Sequence, residues 1–234
     1  AGDLPSQFFK GCTNLTTISS LPATIVKRYC YYQMFYGCEA LTKAPSILPS
    51  MTLNYACYFE MFRECYALTT LPQLPATTLA ESCYEYMFDS CSEINSTMEL
   101  PSTVLTKRCY YGMFNYCTNL TTAPQLPATT LADECYKNMF KSCSNLITIS
   151  ELQATTLANN CYESMFEGCK KLTTAPQLKS IKMGVSSCQY MFKGCTSLTK
   201  APELIATTLA SNCYNGMFEN CKALESTIDL PATT

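Results

Sequence analysis

Cys135-Tyr136-Lys137-Asn138-Met139-Phe140-Lys141-Ser142-Cys143 decides the reading of the whole chain. Its Met-Phe pair returns at Met34-Phe35, Met61-Phe62, Met87-Phe88, Met113-Phe114, Met165-Phe166, Met191-Phe192 and Met217-Phe218, with Phe8-Phe9 as a degenerate first copy. The step is 26 residues throughout, except for 27 between Phe35 and Phe62. A fixed period of this length predicts a solenoid, in which each copy buries its apolar face only by stacking on the next.

The copy from Leu120 to Asn145 sets the expected local structure. Leu120-Thr121-Thr122-Ala123 is β-prone and is stopped by Pro124, so it reads as a strand of a few residues. Pro127 holds Leu126 extended in the connector. Thr130 with Asp133, and Thr78 with Glu81, look like capping boxes that open a helix. In that helix Leu131, Cys135, Met139 and Cys143 recur every four residues, and Ala132, Tyr136 and Phe140 run alongside them. The spacing predicts a helix over 131–142, with Asp133, Glu134, Lys137, Asn138 and Lys141 on its outer side. Gly37, Gly168 and Gly194 stand where a left-handed C-cap favours glycine.

The expected fold is therefore an α/β solenoid with a parallel β-sheet on one face and short helices on the other. It would wind right-handed and hold about nine repeats, roughly 40 Å of sheet at the usual strand spacing. Residues 1–234 read as one solenoid domain, and both ends fall inside a repeat, so a segment of a longer array is expected. Three departures stand out. One extra residue falls near Ser46-Ile47-Leu48-Pro49, between Pro45 and Leu53, as a bulge. The copies 94–98 and 224–228 lack the Ala-Pro step. Lys179–Gly184 replaces Pro-Ala-Thr-Thr-Leu-Ala, where local distortion is expected.

Composition excludes several functions. A net charge of −2 gives no footprint for nucleic acid, and no apolar run is long enough to insert in a membrane. The 17 cysteines form two registered columns, without the Cys-x-x-Cys spacing of zinc sites. Two in one copy lie eight residues apart, about 12 Å along a helix, too far to bridge. They read as buried structural thiols, with Cys188 shifted by one place onto the tyrosine column. The tyrosines, among them Tyr84, Tyr110 and Tyr136, read as lying at the margin of the apolar helix face with their tips outward. Without histidine, no ordinary nucleophile–base pair can be assembled, and no cofactor or metal site is expected.

The string Cys-x-x-Leu-Thr-x-x-Pro, then Leu, then Met-Phe-x-Gly-Cys resembles the Treponema-type, or BspA-like, leucine-rich repeats. Methionine stands here where that family usually has alanine. The resemblance spans Phe8 to Leu230 and implies a curved leucine-rich-repeat solenoid on the surface of, or secreted from, a host-associated bacterium. It implies adhesion and protein contact rather than catalysis. The expected partner is a protein or glycan on a host or neighbouring cell surface. A structural spacer or the receptor-binding module of a phage or secreted particle would use the same architecture. The candidate binding face is the strand face, carrying Lys43, Thr69, Thr70, Thr121, Thr122, Thr173, Thr174, Lys200 and Glu203. An ice-binding role for its threonines is not favoured, because lysines, Asn95 and Ile147 interrupt them.

Overall fold

The computed structural model describes residues 6–226 and 229–230. Thr227, Ile228 and the stretch 231–234, which belong to the last degenerate copy and the mid-repeat end, lie outside the described residues. Consecutive coils stack in parallel register. A column of phenylalanine rings runs from Phe9 through Phe35, Phe62, Phe88, Phe114, Phe140, Phe166 and Phe192 to Phe218, with centroids 5.5–5.8 Å apart. Leu120, Leu146, Leu172 and their equivalents, together with both cysteine columns, complete one continuous core.

No residue of 131–142 is helical, and the described residues contain no helix at all. The segment is instead a ribbon of overlapping turns. Cys135, Lys137, Met139, Lys141 and Cys143 each donate their N–H to the carbonyl three residues back, at 3.1–3.3 Å. The residues between them, Glu134, Tyr136, Asn138, Phe140 and Ser142, donate to Asn159, Cys161, Glu163, Met165 and Glu167 of the next coil, at 2.7–3.1 Å. Glu134, Asn138 and Ser142 have positive φ (58°, 58° and 61°), as the third residue of a type II turn requires.

A helix would close every backbone bond within itself. The ribbon leaves alternate N–H groups free to tie coil to coil. Its burial runs two in, two out: Cys135-Tyr136 and Met139-Phe140 are buried, while Lys137-Asn138 and Lys141-Ser142 are partly exposed. That is a period of four, which on an α-helix would drift about 40° per step. The glycines expected as helix caps do sit at left-handed positions, Gly37 (69°), Gly168 (77°) and Gly194 (72°), but they close turns rather than helices.

The predicted capping boxes are likewise replaced by contacts between coils. Asp133 Oδ1 accepts the N–H of Asn159, and Asn159 Oδ1 accepts that of Val185, both at 3.0 Å. Thr78 and Thr130 are ladder residues bridged to Thr52 and Val104, and Glu81 pairs with Lys107 at 3.7 Å.

The predicted strands shrink to single parallel bridges, such as Lys43↔Thr70, Thr122↔Thr148 and Thr174↔Lys200. Pro124 has no N–H, so the pairing that begins at Thr121 ends once Ala123 has donated to Thr148 at 2.9 Å. Further bridges join Ile47↔Gln73 and Leu152↔Leu178, then Thr52↔Thr78, Val104↔Thr130, Thr156↔Lys182 and Lys182↔Thr208. The coil thus carries three short ladders rather than one sheet. The extra residue falls between Lys43 and Ile47, where the offset to the next coil changes from 27 to 26. The distortion expected at Lys179–Gly184 is absent. Lys182 takes the ladder place of threonine, and Met183 fills that of leucine at 3 % exposure. Gly184 suits its place because a Cβ there would lie 2.6 Å from the backbone of Ala158.

Candidate functional site

The tyrosine column is interior, not marginal. Tyr58, Tyr84, Tyr110, Tyr136 and Tyr162 are about 1 % exposed and stack at 5.7–6.0 Å. The two-in, two-out ribbon turns each of these tyrosines inward beside its cysteine. Cys188 does occupy this column: Tyr162 donates to Ser187, and Cys188 donates onward to Cys213.

Both cysteine columns are buried, apart from Cys12, which is exposed, and Cys221, which is half-buried; all the cysteines are free. The helical spacing that argued against pairing does not apply, because there is no helix. What the ribbon gives each thiol of the second column is a place in a backbone network. The Cys169 sulfur donates to the Phe140 carbonyl at 3.2 Å, and that oxygen also accepts the Cys143 N–H at 3.1 Å. The same contact recurs at Cys65, Cys91, Cys117, Cys143 and Cys195. Burial pushes the Cys57 and Cys109 thiols of the other column up to about 12, so they are not nucleophiles near neutral pH. Among the described residues no cluster of three or more potential metal ligands occurs. No helix there is long and apolar enough to cross a membrane.

The outer side of the ribbon is laced from coil to coil. Lys137–Glu163, Lys141–Glu167 and Lys193–Glu219 pair at 2.9 Å, and Arg108 pairs with Glu134. Arg63 meets Glu60 at 2.5 Å and Asp89 at 2.8 Å, between the rings of Tyr36 and Tyr86. Burial raises the Asp89 carboxyl to about 6; Arg63 and Asn115 oppose that shift without cancelling it.

The candidate binding residues are all exposed. Lys43 is bridged to Thr70, and Thr174 to Lys200, so each lysine adjoins a threonine pair. The two lysines lie toward opposite ends of one column, and neither has an ion pair among the described residues. Some hydroxyls serve the stack itself: Thr69 Oγ1 donates to the Thr42 carbonyl at 3.0 Å, and Thr70 Oγ1 accepts the Ala44 N–H at 3.2 Å. Thr121, Thr122 and Thr173 share this ladder. Glu203 belongs to a different column and donates its N–H to Gln177 Oε1 at 3.3 Å.

Of that neighbouring column only Glu203 was expected to face a partner. It runs Gln73, Glu99, Gln125, Glu151, Gln177, Glu203, all exposed. In the sequence the alternation of amide and carboxylate is a doubled period of 52 residues.

Among solved structures, the chain is similar to a leucine-rich repeat protein of T. pallidum. Identity is 16 %, with 90 % of this chain and 76 % of that one covered, at a TM-score of 0.38. It is also similar to a leucine-rich cell surface protein of Faecalibacterium prausnitzii. There identity is 17 %, coverage is 93 % and 73 %, and the TM-score is 0.31. No curated protein matches. The profile of the BspA type leucine-rich repeat region matches residues 3–72 and 58–199, and the chain belongs to that family.

Proposed function

We propose that this chain is a non-enzymatic binding module that acts at a cell surface or after secretion, contacting a protein or glycan of a host or neighbouring cell through its ladder face. The observation that carries this reading is the division of labour within each coil. Most apolar and thiol side chains are consumed by the core, while the ladder columns present chiefly exposed Thr, Gln, Glu and Lys side chains, with Ile47 and Val104 among them, on a backbone fixed by stacking. A rigid array of polar groups suits recognition over an extended surface. Membership of the family supports the same reading.

Within that face, Lys43, Thr69, Thr70, Thr121, Thr122, Thr173, Thr174, Lys200 and Glu203 are the proposed contact residues. The test is adhesion of purified protein to cultured epithelial cells. The triple variant Lys43→Glu, Lys200→Glu, Glu203→Lys should lose most of the binding while keeping its denaturation midpoint. Equal binding by the variant and the wild type would reject this face. Absence of any cell binding by the wild type would favour a spacer role.

A further inference from the structure

The ladders are interrupted at Asn95–Glu99. This stretch makes no backbone hydrogen bond to either neighbouring coil among the described residues, whereas Lys43↔Thr70 and Thr122↔Thr148 are bridged on either side of it. In this stretch Thr97-Met98 replaces the Ala-Pro step that several other coils place there. Two open cavities flank the break, of about 440 and 460 Å³, within the range of ligand-sized sites. Met98, Glu99 and Pro101 border both. Gln73 with Pro72 and Pro75 closes one, and Gln125 with Pro127 closes the other.

The hydrogen-bonding character of this place is that of an acceptor. Glu99 has no cation and no hydrogen bond among the described residues, and it sits between two amide side chains in its column. No lysine or arginine borders either cavity. The chain itself shows what such a carboxylate takes. Two coils on, where Ile149-Ser150 again replaces Ala-Pro, Lys179 places its Nζ on Glu151 at 3.1 Å and on Gln153 Oε1 at 2.9 Å. Glu99 takes the place of Glu151 in its own coil, with Pro101 where Gln153 stands and Pro127 in place of the lysine.

We propose that the break at Met98 is a socket for a basic side chain of a partner protein. An arginine would set its guanidinium on Glu99, with Gln73 and Gln125 to either side, and lay its aliphatic stem on Met98 and the prolines. This rests on the reading of the chain as a binding module and adds the chemistry of one partner residue.

The probe is a fluorescein-labelled Gly-Arg-Gly-Arg-Gly peptide followed by anisotropy, against the same peptide with citrulline, the neutral isostere, in place of arginine. The arginine peptide should bind more tightly by about 10–100-fold, the worth of a hydrogen bond to a charged group. Glu99→Gln should remove that preference, and Glu151→Gln should leave it unchanged. The double change Thr97→Ala, Met98→Pro, which restores the Ala-Pro step, should abolish binding with the thermal midpoint kept or raised. Equal binding of the two peptides, or full binding by Glu99→Gln, would overturn the socket. Failure of the wild type to bind the arginine peptide, with its adhesion to cells retained, would reject the socket alone and leave the broader function standing.

Discussion

Phe140→Ala should destabilise the protein by about 3–5 kcal/mol, the range for truncating a buried aromatic. The structure supplies the parts of that figure. The ring is fully buried, and removing it forfeits about 1.5–3 kcal/mol of apolar transfer. It is stacked on both faces, on Phe114 at 5.8 Å and Phe166 at 5.7 Å. Each aromatic pair adds about 0.5–1.5 kcal/mol beyond its area. The comparison is Lys141→Ala, the next residue. Its side chain is 30 % exposed and pairs with Glu167 at 2.9 Å, so the loss should be about 0–1 kcal/mol. Urea denaturation gives both values. Hydrogen exchange gives the location: the amides of Phe114 and Phe140, bonded to Met139 and Met165, should exchange faster, while that of Phe62 should not change. Similar midpoints for the two variants would refute the two-in, two-out burial. Uniform acceleration along the chain would refute nearest-neighbour stacking.

Burial raises the Asp89 carboxyl to about 6, so the folded chain holds that proton more tightly than the unfolded one; stability should therefore fall as pH rises from about 4 through 6. Thermal midpoints at pH 5 and pH 7.5 should show this slope, and Asp89→Asn should flatten it; a wild type no less stable at pH 7.5 would contradict the assignment. Alkylation under native conditions should label Cys12 first and Cys221 next, leaving the buried thiols unreacted until denaturation, as mass spectrometry would report. Ser187→Cys combined with Cys188→Tyr should return the copy to the common register and extend the ring column between Tyr162 and Tyr214, raising the urea midpoint; a lower midpoint would mean that the core has closed around Cys188.

The repeat made the stack legible because its period is a property of the chain alone. Columns through Phe140, Leu120 and Cys143 follow from position, whatever conformation joins them. The helix did not follow, because the four-residue spacing from Leu131 to Cys143 fits both a helix and a chain of turns. Gly112 and Gly216 carried the deciding signal. Each would weaken the middle of a helix, yet each takes a left-handed position in the ribbon, at 58° and 61°. Tyr136 was misplaced for the same reason, since on a helix it would flank the stripe rather than face in. At the surface, Lys43 and Lys200 were legible as exposed cations. The break around Met98 was visible as a missing Ala-Pro step, but its cavities depend on how Pro72, Pro101 and Pro127 frame it.

The direction of the ribbon's bonds has a mechanical side. From Glu134 to Ser142, the N–H groups that leave one coil point along the stacking axis. A pull along that axis loads these bonds at the terminal coil first rather than sharing the strain in shear across the array. The chain should then peel from an end, one coil at a time. Each coil would release 26 residues, about 90 Å of extended chain at roughly 3.4 Å per residue. Under a steady pull the array would lengthen in steps at nearly constant tension, while the coils still stacked kept their ladder face intact.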